Sequence, residues 1–270
     1  MKDFNNKVVV ITGAASGMGR AYALAFAKQG SLLALCDVDQ QRLEETIEMV
    51  GAHTDNKNSH KAFDISDEQA TFEFADQVKN ELGDAHVIIN NAGIEGSSEP
   101  VWASSGESFR RVMAVNYFGV VNGTRAFLPQ LQAENRGVIV NVSSIFGLAG
   151  TPNHADYCAS KFAVRGFTES LMVELYTSNI QVHSLHPGGI DTNIAQQEHS
   201  REISKEFLIT PADDVAEHVI RSIRKNQRRI VYGHKSFITW LAVRLLPLSL
   251  VCKLLWSEMK SVIELRNYNY

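Results

Sequence analysis

Thr12-Gly13-Ala14-Ala15-Ser16-Gly17-Met18-Gly19 is the stretch on which the reading of this chain turns. Before it, residues 7–12 (KVVVIT) form a short, continuous apolar run, the pattern of a strand buried on both faces. After it, residues 17–29 follow a helical period. A glycine turn between such a strand and such a helix can bend sharply and bring its backbone close to a pyrophosphate. The helix start then offers free N–H groups and a partial positive charge to that anion. Gly13, Ser16, Gly17, Met18 and Gly19 are therefore candidate cofactor contacts. A tight turn with no ligand is the competing reading; the strand before, the helix after and an acid further on weigh against it.

Working outward, the same rhythm repeats. Strands are expected at residues 31–36, 61–65, 86–90, 137–142, 180–185 and 229–232. Helices are expected between them, at 40–50, 67–82, 107–131, 155–176 and 211–225. Strict alternation of apolar strands and helices predicts a Rossmann-like, doubly wound α/β fold, a parallel sheet of about seven strands with helices on both faces. The 270 residues suit one unit. Within it, 1–192 reads as the cofactor-binding and catalytic core, 193–210 as a substrate lid and 236–270 as an apolar C-terminal extension.

Composition narrows the function classes. Net charge is −4, so no basic excess exists to neutralise nucleic-acid phosphates. Cys36, Cys158 and Cys252 match no disulfide framework or metal spacing, and the nine histidines form no HExxH, so no metal is expected. The N-terminus lacks the apolar core of a signal peptide, and a reduced cytoplasmic setting is expected.

Asp37 stands at the end of the second strand. A carboxylate there can accept both hydroxyls of an adenosine ribose and would repel a 2′-phosphate, which favours NAD over NADP. Its competitor is an ordinary turn residue, with Asp39 close by; Arg20 and Arg42 are the basic residues that could serve a phosphate instead. Tyr157 and Lys161 lie four apart, neighbours on one helix face. A phenol titrates near ~10, and lowering it by about three pH units takes about 4 kcal/mol, which a nearby cation can supply.

These residues resemble the short-chain dehydrogenase/reductase family. The likeness rests on five ordered motifs: the loop from Thr12 to Gly19, Asn90-Asn91-Ala92-Gly93, Ser143-Ser144, Tyr157-xxx-Lys161 and Pro187-Gly188. It covers residues 7–192 and continues more loosely to the last strand. The resemblance implies that Tyr157 is the general acid and base and that Lys161 holds the ribose and lowers the tyrosine pKa. It implies that Ser144 bonds the substrate oxygen and Asn116 holds a water leading to Lys161. Ser143 competes with Ser144, and a locally bonded helix asparagine is the other reading of Asn116. Asn91, Ala92 and Gly93 would lie along the cofactor, and Asp64 and Ile65 at the adenine, with a plain helix cap the alternative for Asp64. Pro187, Gly188, Ile190 and Thr192 would border the nicotinamide. The family also implies a homodimer or homotetramer, through the helices at 107–131 and 155–176.

Expected pocket walls are 95–102 and 145–153, with Trp102, Phe146 and Leu148 making them apolar. Cys158, His154 and His186 read as packing, rim or loop residues. Residues 237–256 (FITWLAVRLLPLSLVCKLLW) are interrupted by Arg244, Pro247 and Lys253. A bilayer span needs about 20 apolar residues and a central Arg costs about 2.5–3.5 kcal/mol, so a surface segment is expected rather than a span. That segment suits peripheral membrane contact, a subunit contact or the roof of a lipid-sized pocket. The expected function is hydride transfer between NAD and a bulky, lipophilic alcohol or carbonyl. The alternatives are a 3-oxoacyl-type reductase using NADP and a non-catalytic nucleotide-binding scaffold.

Overall fold

The computed structural model describes residues 1–192, 207–261, 263 and 265–268. Seven strands form one parallel sheet in the order β3-β2-β1-β4-β5-β6-β9. They are β1 (Val8–Thr12), β2 (Leu32–Asp37), β3 (Asn58–Ala62), β4 (Val87–Asn90), β5 (Gly137–Val142), β6 (Ile180–Pro187) and β9 (Arg229–Tyr232). A separate parallel pair, β7 (Ile190–Asp191) and β8 (Thr210–Pro211), lies between β6 and β9 in the chain.

Alternation along β1 explains the two helical layers. Val9 and Ile11 pack with Tyr22 and Phe26 of α1 (Gly17–Ala27), Leu43 of α2 (Gln40–Gly51) and Val219 of α7 (Ala212–Arg224). Val8 and Val10 point the other way, into a core shared with Phe74 of α3 (Glu68–Leu82), Phe127 of α5 (Gly119–Ala133) and Leu171 of α6 (Ala155–Glu174). A strand buried on both faces is apolar at most positions, which is why these strands read as near-continuous runs. Strand order reverses between β1 and β4, and a crevice opens there at the strands' C-terminal ends.

Two expectations need correction, and the extension gains a definite form. The third strand is Asn58–Ala62, not 61–65. It is an edge strand with one buried residue, Ser59, and the apolar signal came from the turn after it. Phe63 packs on Phe74 there, and Ile65 lies under Gly119, where a Cβ would sit 2.8 Å from its Cγ2. The long helix at 107–131 is three pieces: α4 (Gly106–Met113), a π-helical turn (Ala114–Phe118) and α5. The extra residue in that turn sits beside buried Asn116. The apolar extension is two helices, α8 (Ser236–Leu245) and α9 (Leu248–Met259), parted at Pro247, which cannot continue a helix. Of the expected lid, 193–206 lie outside the described residues.

Candidate active site

The glycine turn is shaped by contacts that only glycine permits. Gly13 has φ +68°, and a Cβ on Gly19 would sit 1.9 Å from the Gly13 carbonyl oxygen. Asp39, Asp67 and Ser105 cap α2, α3 and α4 with their side chains. Helix α1 differs: Ser16 makes no cap bond and the first turn holds no acid. Its opening N–H groups are thus left for an external anion, which fits a dinucleotide pyrophosphate.

Asp37 stands beside this turn. Its Oδ2 accepts from the Ala15 N–H at 2.9 Å and its Oδ1 from the Asp39 N–H at 3.0 Å. Asp39 is the helix cap, accepting from the Arg42 N–H. The two nearby arginines are engaged. Arg20 donates to Thr46, the Ala15 carbonyl and Glu45, and Arg42 pairs with Asp39 at 3.5 Å.

At the end of β4, the Thr12 hydroxyl accepts from the N–H groups of Asn91 and Ala92, both at 3.0 Å. The Asn91 amide donates to the Thr12 carbonyl, and its buried Oδ1 has no partner among the described residues. A Cβ on Gly93 would lie 3.3 Å from the Lys161 Nζ, so the β4 end and the lysine face one space. Asp64 lies past the end of β3, paired with Arg111 at 2.9 Å. Burial pushes its carboxyl up, but the bonds from Ser66 and Arg111 outweigh that and leave it below the usual range. The cap of α3 is Asp67, not Asp64. Ile65 is buried beside it.

Tyr157 and Lys161 share a face of α6, and Ser144 comes up from the end of β5. The Ser144 side chain lies beside the Tyr157 hydroxyl, near enough to act on its titration. Burial raises the phenol above its ordinary value, and Ser144 opposes it. Lys161 is 3% exposed and donates to the Val142 carbonyl at 3.1 Å. Burial lowers its pKa to about 8. Its Nζ lies 5.5 Å from the Tyr157 ring centre. Ser143 donates to the Lys161 carbonyl at 2.8 Å, the backbone-bonding role that competed with Ser144.

The Asn116 side chain is engaged on both atoms. Its Oδ1 accepts from the Ile94 N–H at 2.8 Å, and its amide donates to the Ile94 carbonyl and the Ser160 hydroxyl. These bonds reach residues far from Asn116 in sequence, and they pin the loop after β4 against α6. Sequence reasoning missed Asp156. It is 1% exposed and accepts from the Ser97 N–H, the Ser108 hydroxyl and the Tyr157 N–H at 2.8, 2.6 and 2.8 Å. A carboxylate next to the tyrosine was the available signal. His186 is neither rim nor loop: it is buried in β6, bonded to the Ser144 carbonyl at 3.1 Å and the Ser184 hydroxyl at 2.9 Å.

Ser144 and Tyr157 open into a cavity whose other walls are largely apolar, among them Ile145, Phe146, Phe207 and Leu208. Met18, Pro187, Gly188, Ile190 and Thr192 border it on the glycine-turn side, where a Cβ on Gly17 would touch Thr192 at 3.0 Å. Thr239, Leu255 and Met259 of the extension close the far side. His154 lines the cavity but is buried rather than at a rim, its Nδ1 bonded to the Pro152 carbonyl at 2.8 Å. Leu148 and Trp102 do not line it: Leu148 is buried elsewhere, and Trp102 stacks on Tyr268 at 5.3 Å.

Comparison with known proteins gives the same picture. A protein of Mycobacterium tuberculosis named SadH is 38% identical over 245 residues, covering 86% of this chain and 88% of its own. Cyclopentanol dehydrogenase of Comamonas testosteroni is 35% identical over 207 residues, covering 77% of this chain and 82% of its own. A short chain dehydrogenase/reductase from Burkholderia phymatum, solved in complex with NAD, superposes with a TM-score of 0.83 at 30% identity, over 91% of this chain and 94% of that one. The short chain dehydrogenase family model matches residues 7–203. The glycine turn, the paired hydroxyls of Ser144 and Tyr157 and the buried Lys161 thus sit in a chain that belongs to the short chain dehydrogenase family of nucleotide-binding oxidoreductases.

Proposed function

We propose that this protein uses NAD to interconvert a bulky, lipophilic primary or secondary alcohol and its aldehyde or ketone. The observation that carries the reading is that Ser144 and Tyr157 line one largely apolar cavity, side by side next to the glycine turn. Bound nicotinamide would supply or accept the hydride. Gly13, Ser16, Gly17, Met18, Gly19 and Asp37 would hold the adenosine and pyrophosphate, Asn91, Ala92 and Gly93 the middle, and Ile190 and Thr192 the far ring. Asp64 and Ile65 would lie at the adenine.

The chain's own groups then move the proton. Ser144 Oγ and Tyr157 Oη grip the substrate oxygen and stabilise charge developing on it. In reduction Tyr157 Oη gives up its proton; in oxidation it takes one. Lys161, with a pKa of about 8, is mainly an ammonium at neutral pH and favours the phenolate. Asn116 and Asp156 keep the β4 loop and the tyrosine in register.

NAD is favoured over NADP by two features. Asp37 stands where a 2′-phosphate would meet a carboxylate, and Arg20 is tied to four acceptors rather than available to such a phosphate. The same features weigh against the 3-oxoacyl reductase reading. The complete Ser144, Tyr157 and Lys161 set weighs against a non-catalytic scaffold. Exposed Phe118, Phe162, Val173 and Tyr176, on or next to the α4–α5 and α6 helices, support a homodimer or homotetramer. Peripheral membrane contact through 237–256 belongs to the same reading, since no helix among the described residues is long and apolar enough to cross a bilayer.

The test is a panel of steroids, retinol, long-chain alcohols, sugars and polyols, assayed with NAD and with NADP. Turnover of apolar alcohols with NAD is expected. Activity confined to sugars and polyols would exclude the lipophilic substrate, and an equal rate with NADP would exclude the cofactor preference.

A further inference from the structure

We infer that the outer face of the α8–α9 hairpin is a docking surface for an anionic lipid bilayer. On α8, Phe237, Ile238, Leu241 and Leu245 are exposed and fall within one helix face. Helix α9 turns Val251, Leu255 and Met259 inward and sets Trp256 edge-on against Tyr268, and leaves Leu248, Leu250 and Leu254 exposed. Leu248 is 76% exposed and Leu245 70%, at the apex where the two helices meet. A contiguous apolar face of this kind marks an interaction surface.

Charge selects the partner. From residue 234 to 261 the chain carries Lys235, Arg244, Lys253 and Lys260 but a single acid, Glu258, in a protein whose net charge is −4. Glu258 is paired with Lys235. Arg244 and Lys253 are exposed among the leucines, with the Arg244 guanidinium 4.9 Å from the Trp240 ring centre. A second copy of this chain would bring the same cations face to face, because a two-fold contact pairs a patch with itself. An anionic lipid surface attracts them, while the apolar side chains enter the headgroup boundary. The helices of 10 and 12 residues are too short to span and would lie flat.

The placement has a functional side. Thr239, Leu255 and Met259, on the same two helices, line the substrate cavity. An alcohol dissolved in the bilayer would therefore meet the cavity without crossing water. This last step rests on the lipophilic-substrate reading; the docking itself does not.

Cys252, exposed on α9, is the reporter, because Cys36 and Cys158 are buried. The protein is labelled there with an environment-sensitive thiol fluorophore and mixed with vesicles of phosphatidylcholine alone or with phosphatidylserine. A blue shift, and co-sedimentation of unlabelled protein, are expected with phosphatidylserine only. Each basic residue near such a surface contributes about fivefold, so Arg244→Glu with Lys253→Glu should weaken partitioning by about twenty-five-fold or more. That variant should still turn over a water-soluble alcohol at the normal rate. Absence of partitioning at low salt overturns the inference, as does partitioning equal on both vesicles and unchanged in the variant. Vesicle binding without any NAD-linked alcohol turnover would sink the catalytic reading and leave the docking in place.

Discussion

The two ends of the crevice are built on opposite terms. On the glycine-turn side the backbone does the recognising. Gly13 and Gly19 have no room for a Cβ, Thr12 and Asn91 lock β1 to β4, and Asp37 is fixed by two N–H donors. On the extension side, side chains make the wall: Leu255 and Met259, with Thr239 and the paired Lys235 and Glu258 beside them. A backbone-built site demands particular residues at particular places. A side-chain-built site demands only volume and apolarity, which many sequences supply. Chemistry should therefore depend steeply on single residues where the two sides meet, and only gradually on those that form the apolar wall.

The sharpest break would come at the junction. Tyr157→Phe removes the one hydroxyl positioned to exchange a proton, and kcat should fall by about a hundredfold or more. NADH binding, followed by fluorescence titration, should persist, because the glycine turn is untouched. Near-normal turnover would dissolve the distinction drawn here. On the nucleotide side, kcat/KM with NAD should exceed that with NADP by about tenfold or more, and Asp37→Ser should narrow the ratio. A wild-type preference for NADP would show that Asp37 does not read the ribose.

The same contrast explains what was legible in the sequence. Gly13, Asp37, Asn91, Ser144, Tyr157 and Lys161 could be read because each is a residue type that the local geometry requires. The parallel sheet was legible because strands buried on both faces are mostly apolar, their few polar residues, such as Asn90, Asn141 and His186, being hydrogen-bonded inside. The third strand was misplaced because an edge strand has no such rule: Asn58–Ala62 buries one serine, and the apolar signal belonged to Phe63 and Ile65 beyond it. The break at Ala114–Phe118 was hidden because a π-helical turn leaves the apolar period nearly intact. Trp102 and Leu148 were assigned to the cavity wall on hydrophobicity alone, a property shared by wall, core and surface. Leu255 and Met259, which are wall residues, had no signal to separate them from the exposed leucines beside them.

A smaller effect probes the apolar side. Leu255→Ala removes wall area from the cavity without touching Ser144 or Tyr157. KM for a bulky apolar alcohol should rise about fivefold, the scale of a few lost methyl or methylene contacts. Turnover of a small soluble alcohol should stay within a factor of about two, since the proton-transfer groups are unchanged. A large loss of kcat on both substrates would mean that the extension shapes the catalytic groups themselves.

The smallest effect lies beneath the junction, at His186. Burial holds its imidazole down to about 4, so the folded protein keeps it neutral between Ser184 and the Ser144 carbonyl. Unfolded, it would titrate near ~6.5. Below that value the unfolded chain binds a proton that the folded chain refuses, so stability falls as pH drops from about 7 toward 4. Between pH 7.5 and 6.0 one such histidine contributes a loss of about 1 kcal/mol. His183, also held to about 4 by burial, should add a similar amount. Urea unfolding at the two pH values should therefore show a drop that His186→Gln reduces by about 1 kcal/mol, with His154, His86 and His218, also lowered by burial, contributing to the rest. An unchanged drop in the variant would place the titration elsewhere. It would also leave the Ser144 carbonyl without its proposed neutral partner, at the point where the backbone-built and side-chain-built halves of the site are joined.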